Sequence, residues 1–265
     1  MRLGKSHEVP FLTALYVMAY RQLKSFLRMK VRILISVGRP MMWLFFFGVG
    51  WSASLRGPLA QEALEGMGFM DFMVPGVAMM SVFFSAFFAG SSVIWDREFG
   101  FLKEVLVAPA SRKAIILGRV LGDSIIALLQ GIITLAVASP FVSGLSLLGV
   151  LQALLAMFLT ALAYASLGTA IGSIVSNVET FQLIHVTLAM PMMFLSGAVV
   201  PLYQAPSWMR MAALAVPLTY GVDMARSGMT SVELLPTWLD LAVLSCLAIA
   251  FLLLAVKAFE RTKPR

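Results

Sequence analysis

The chain is nearly without residues for redox or metal chemistry: 265 residues include one cysteine, Cys246, and two histidines, His7 and His185. A lone cysteine excludes an intrachain disulfide, and two distant histidines cannot form a zinc site of the H-E-x-x-H kind. No G-x-x-x-x-G-K-[ST] run occurs, so the chain does not cradle a nucleotide phosphate in a P-loop. Charge is also scarce, at 12% of residues, about half the share in soluble domains. What fills the chain is apolar: 60% of residues are hydrophobic and the mean hydropathy is +0.91. The apolar residues come in blocks of about 20, the length a helix needs to cross a hydrocarbon layer of about 30 Å. These features predict an all-α integral membrane protein.

Six spans are expected, at about 33–51, 73–94, 115–138, 147–174, 182–201 and 238–257. No linker divides them, so residues 1–265 read as one transmembrane domain. The N-terminus has a polar, basic stretch before its first long apolar block, unlike a cleavable signal peptide, so the first span is expected to stay attached. Residues 10–30 place Leu12, Leu15, Tyr16, Ala19, Leu23, Phe26 and Leu27 at helical spacing, with Arg21, Lys24, Arg28 and Lys30 alongside. This pattern predicts an amphipathic helix lying on the membrane surface, its cations near lipid phosphates.

Lys and Arg distribution orients the chain, because cytoplasmic loops carry the excess. Seventeen of the 20 fall in residues 1–39, the 96–119 loop and the tail from Lys257, against three in the opposite loops, Arg56, Arg210 and Arg226. Both termini are therefore expected in the cytoplasm, with the protein in the cell's inner or plasma membrane. The net charge of +7 fits an anionic inner leaflet and calls for no nucleic acid.

The charged loop "DREFGFLKEVLVAPASRKAIILGR" (96–119) combines eight ionised side chains with Phe99, Phe101, Leu102, Val105, Leu106 and Val107. At about 2.5–3.5 kcal/mol per charge at a helix centre, it cannot enter lipid. Residues 98–107 are expected to form a short amphipathic helix stopped by Pro109, a helix suited to a groove. The bland alternative is packing against the protein's own helices or the headgroups. Four polar residues in or near spans have simple expected roles. Arg39 snorkels to the interface, Asp123 pairs with Arg119 four residues earlier, Glu179 caps a helix N-terminus, and His185 packs as a polar helix residue. Two small-xxx-small pairs, Gly118 with Gly122 and Gly168 with Gly172, permit close helix approach. Further on, "FLSGAVVPLYQAPSWMRMAALAVPLTYGVDMAR" (194–226) is interrupted by Pro201, Pro206 and Pro217. It is expected to form two half-helices at the outer face, anchored by Tyr203 and Trp208 and roofing a pathway.

These two segments resemble the type-2 ABC transporter permeases, the group of drug, nodulation and polysaccharide export subunits. The first is similar to that family's E-x-x-G-x-L...P-x-S-R...G-[KR] loop, and the second to its F-L-S-G...P...P-W...N-P-L-T-Y...D...R segment. "RPMMWLFFFG" in span one has the family's look as well, and the resemblance runs from about residue 10 to 257. One departure is Val216, where the family has Asn before Pro-Leu-Thr-Tyr.

The resemblance implies an exporter subunit with six spans, an interface helix at 10–30, a cytoplasmic coupling helix at 98–107 and an extracytoplasmic re-entrant segment at 202–220. Its partners would be ABC ATPase subunits and a second permease, as a homodimer or heterodimer. The chain itself would bind no cofactor and catalyse nothing; ATP and Mg would sit on the ATPase. Glu98, Gly100, Phe101, Leu102, Pro109 and Arg112 would serve ATPase coupling, with Glu98 at the head of the helix, Gly100 as its turn and Pro109 as its stop. Pro201, Pro206, Trp208, Pro217 and Tyr220 would form the re-entrant gate. The substrate would be a drug, lipid or glycan, moved along faces of spans one, two and five. Two other classes compete: a self-sufficient secondary transporter or channel, which calls for inverted repeats and paired midplane charges, and an intramembrane hydrolase. The latter would rest on His185 and Ser196, which 11 intervening steps of about 1.5 Å hold about 16 Å apart, and the surroundings of Ser196 do not match G-x-S-x-G.

Overall fold

The computed structural model describes residues 9–28, 30–50, 64–101, 109–143, 145–203 and 205–261. Helices account for nearly all of them, in the order α1 (Phe11–Arg28), α2 (Lys30–Trp43), α3 (Phe69–Ala89), α4 (Ser91–Glu98), α5 (Arg112–Ala138), α6 (Leu147–Ile174), α7 (Val178–Leu195), α8 (Ser207–Leu214), α9 (Pro217–Thr230) and α10 (Thr237–Glu260). A π-helical stretch, Leu44–Val49, follows α2, and a 3-10 turn at Ser139–Phe141 follows α5.

Among the described residues five helical stretches are long and apolar enough to cross a membrane: Phe69–Glu98, Arg112–Phe141, Leu147–Ile174, Val178–Leu195 and Thr237–Glu260. The first expected span, 33–51, corresponds to α2 and its π-helical continuation, interrupted by Pro40, which removes a backbone donor inside the helix. Its last residue, position 51, lies outside the described residues. The fifth span sits further towards the N-terminus than expected. Asn177 starts α7 by accepting the Thr180 N–H at 2.7 Å, and Gly197, at φ +77, turns the chain just past its end. Glu179 lies in the first turn, where its charge suits the helix N-terminus, but Asn177 makes the cap.

The core is built around α3, most of whose residues are buried. Phe83 meets Tyr164 of α6 edge to face at 4.5 Å and Phe87 packs beside them. Glycines set the closest crossings. A Cβ on Gly90 would overlap the backbone of Gly168, and one on Gly76 would overlap the backbone of Ala198. Side-chain-free backbones allow α3 and α6 to touch directly, the packing that membrane interiors reward in the absence of a hydrophobic drive. The Gly118 and Gly122 pair does the same for α1: a Cβ on either would meet the α1 backbone, at Leu15 and Ala19 respectively. Helix α1 thus buries Ala14, Met18, Gln22 and Phe26 against the bundle, while Leu12, Tyr16, Tyr20 and Leu27 on the other face are exposed. The expected amphipathic helix is present with two working faces, one for α5 and one open.

Candidate functional site

Two polar clusters mark the two ends of the bundle. At the basic end, α3 continues past Gly90 into α4, which carries Asp96. The Asp96 carboxylate accepts from Arg119 Nη1 of α5 at 2.6 Å and from Arg21 Nη2 of α1 at 2.8 Å. Arg119 Nη2 also donates to Ser92 Oγ at 2.7 Å. Charge-assisted bonds of this length are strong ones, and Arg119 is almost wholly buried. The sequence suggests a local Arg119 and Asp123 pair; in the structure the Arg119 guanidinium reaches across to α4 and binds Asp96. Neighbouring Arg97 donates to the Val175 carbonyl just past α6.

The residues expected to couple to a partner hang from this cluster. Glu98, expected at the head of a helix, is instead the last residue of α4, and Gly100, at φ +76, breaks the helix there. That backbone conformation favours glycine. Phe101 then lies beneath the Arg21 guanidinium, 3.7 Å from it. Leu102 and the body of the expected 98–107 helix fall outside the described residues. The chain returns at Pro109, whose carbonyl accepts the Val9 N–H at 2.8 Å, and Arg112 donates to the Glu260 carbonyl at 3.2 Å. The C-terminal end of the loop is thereby tied to the segment before α1 and to the end of α10. Trp95 stacks on exposed Phe99 at 5.6 Å, leaving an aromatic surface beside the loop.

The opposite end holds the proline-interrupted segment. Pro206 precedes α8 and Pro217 opens α9, where a missing N–H costs nothing. The Pro-Leu-Thr-Tyr stretch closes α8 from behind: Thr219 Oγ1 donates to the Ala213 carbonyl and Tyr220 Oη to the Leu214 carbonyl, both at 2.6 Å. These satisfy carbonyls that a helix end leaves open. Trp208 is exposed, Pro201 half-buried and Pro217 buried. Two helices, α8 and α9, occupy this segment.

Charge reading misplaced Arg226. It is no loop cation but a buried residue of α9, 3% exposed. Its guanidinium covers the Phe72 ring at 4.1 Å and donates to the Gly197 carbonyl at 2.8 Å and the Phe72 carbonyl at 3.3 Å. One side chain therefore joins α9, the turn after α7 and the start of α3. Asp223, one turn earlier, accepts the Leu234 N–H at 2.9 Å and the Leu235 N–H at 2.7 Å. Burial pushes its carboxyl above the usual carboxylate range, opposed by those two N–H groups and by Arg226. Asp223 and Arg226 are the D and R of the quoted motif, so their signal was visible while their structural role was not. His185 packs among Phe84, Phe87, Phe88 and Phe181, its ring 5.0 Å from that of Phe87.

A bundle of membrane-length helices with a charged cluster at one end and a proline-broken segment at the other defines a multi-pass membrane protein. Residues 13–230 match the family model described as ABC-2 type transporter, and the chain belongs to that family. It is 26% identical over 225 residues to the putative transport permease ycf38 of Cyanophora paradoxa, covering 82% of this chain and 74% of that one. Similarity extends to the inner membrane transport permease YadH of Escherichia coli K12, at 27% over 75% of this chain and 77% of the relative. Nodulation protein J of Rhizobium leguminosarum bv. viciae is 25% identical over 87% of both chains.

Proposed function

We propose that the chain is the membrane subunit of an ATP-driven exporter, forming the pathway with a second permease, as a homodimer or heterodimer, and worked by separate ABC ATPase subunits. The basic end faces the cytoplasm, with both termini there, and the 96–112 loop receives the ATPase. One observation carries this reading: Asp96, at the root of the loop, is held by arginines from both α1 and α5. A push on the loop therefore reaches the interface helix and two spans through charge-assisted bonds, and coupling follows where these contacts differ between the two states of the transporter. The exposed Trp95 and Phe99 pair supplies apolar docking surface, and Glu98 beside it supplies charge that fixes register. ATP and Mg belong to the partner in this reading, consistent with the missing P-loop.

At the other face, α8 and α9 act as the gate, with Pro201, Pro206, Trp208, Pro217 and Tyr220 shaping it and Arg226 as its rivet. The substrate class is a drug, lipid or glycan. The test is Glu98→Lys in reconstituted membranes with the ATPase present. Transport should fall at least about tenfold while ATP hydrolysis persists, a loss equivalent to about 1.4 kcal/mol of coupling. Unchanged transport per ATP hydrolysed would contradict the docking role.

A further inference from the structure

We propose that Asp223 of α9 and Asp240 of α10 share a single proton, forming a proton-binding site that fastens these helices together at the end of the bundle opposite the 96–119 loop. Asp240 is 0% exposed, and neither of its oxygens has a hydrogen-bond donor among the described residues. Its neighbour is the carboxyl of Asp223, within hydrogen-bonding reach and itself buried. Two acceptor-only groups in contact are repulsive, whereas one carboxylic acid against one carboxylate is a hydrogen bond.

The described surroundings supply a single balancing cation. Among the described residues Arg226 is the one buried cation beside the pair, and it donates to two backbone carbonyls. One guanidinium offsets one carboxylate, so a second ionised carboxylate would leave a net negative charge away from water. Tyr220 faces Asp240, Tyr203 faces Arg226 and Asp223, and Glu233 lies on the solvent side. Glu233 adds negative charge, which further favours the proton. Helix α6, packed along α10, brings only Tyr164, which lies deeper in the bundle and donates towards Met192 Sδ.

The pair has mechanical leverage. Asp223 holds Leu234 and Leu235 by their N–H groups, and these residues lead directly into Pro236 and the start of α10, where Asp240 sits in the first turn. Losing the shared proton would set two like charges against each other across this junction and loosen α9, the helix that Arg226 pins to α3. The site therefore makes the α9 and α10 junction pH-sensitive. Proton binding itself needs neither ATPase nor substrate; only the compartment whose pH it follows rests on the orientation proposed above.

The sign follows from linkage. A carboxyl pair that holds its proton more tightly folded than unfolded contributes stability on the acid side, and that contribution is lost as pH rises through the pair's titration. The experiment is thermal unfolding of the purified full chain in detergent from mildly acidic to alkaline pH, for wild type, Asp240→Asn and Asp223→Asn. Wild-type Tm should fall by about 3 °C or more across that range, while Asp240→Asn, whose amide replaces the shared proton, should lose most of that slope. Infrared spectra of the wild type at neutral pH should contain a protonated-carboxyl C=O band that shifts in deuterium oxide and is missing from either variant that folds. A wild-type slope retained in Asp240→Asn, a flat wild-type profile, or absence of the infrared band would each overturn the proposal.

Discussion

Arg119 of α5 donates to Asp96 of α4 at 2.6 Å, although Asp123 stands on its own helix one turn away. The bond crosses from one helix to another, and with Arg21 it makes a three-helix clasp beneath the loop. Asp96→Ala should leave Arg119 buried without its anion and cost about 3–5 kcal/mol. Thermal unfolding in detergent would register this as a large fall in Tm. Asp96→Ala combined with Arg119→Met should be milder than the sum of the single changes, because no lone charge is left behind.

The α3 and α6 crossing depends on absent side chains. Gly168→Ala would drive a methyl into the Phe87 carbonyl, and Gly90→Ala would drive one into Gly168. Each should destabilise by about 1–3 kcal/mol or force the helices apart. Gly38→Ala, with nothing within 4 Å of the added methyl, should be neutral. Folded yield by size-exclusion chromatography distinguishes the two classes.

Arg226 holds the Gly197 turn and the start of α3 at once. Arg226→Met preserves the stem but leaves the Gly197 carbonyl unpaired and buried, at a cost of about 2–4 kcal/mol. Arg226→Lys should recover less than half of that, since one ammonium cannot both reach two carbonyls and lie flat on Phe72. Unfolding midpoints of the three proteins test the order.

Gly197 has φ +77, and Leu202 stands against it. Gly197→Ala should cost about 1–2 kcal/mol in backbone strain alone. Because this turn seats Arg226, the substitution should also lower transport. A transport assay normalised to folded protein separates the second effect from the first.

Much of this was legible in the sequence because lipid imposes simple rules. Twenty-residue apolar blocks located five membrane-length helices, and the prolines at 206 and 217 located α8 and α9. The spacing of residues 10–30 gave α1, but periodicity alone did not say which face meets protein. That became clear only when Gly118 and Gly122 were seen to receive it. Arg226 and Asp96 show what pattern reading misses. Counting cations assumes each lies in water, yet Arg226 is buried, and its partners are backbone carbonyls that carry no sequence signal. Asp96 reads as a solvated loop charge until its two arginines, 75 and 23 residues away, are brought to it by folding.

The central claim is that a separate ATPase works this permease through the 96–112 loop. The most direct measurement is mild-detergent purification of the tagged protein from its host, wild type beside Glu98→Lys, with mass spectrometry of what co-purifies. The wild type should bring a stoichiometric ABC ATPase, and Glu98→Lys should bring much less while inserting and folding normally. Absence of any ATPase under conditions that preserve other transporter complexes, or equal recovery with the variant, would contradict it.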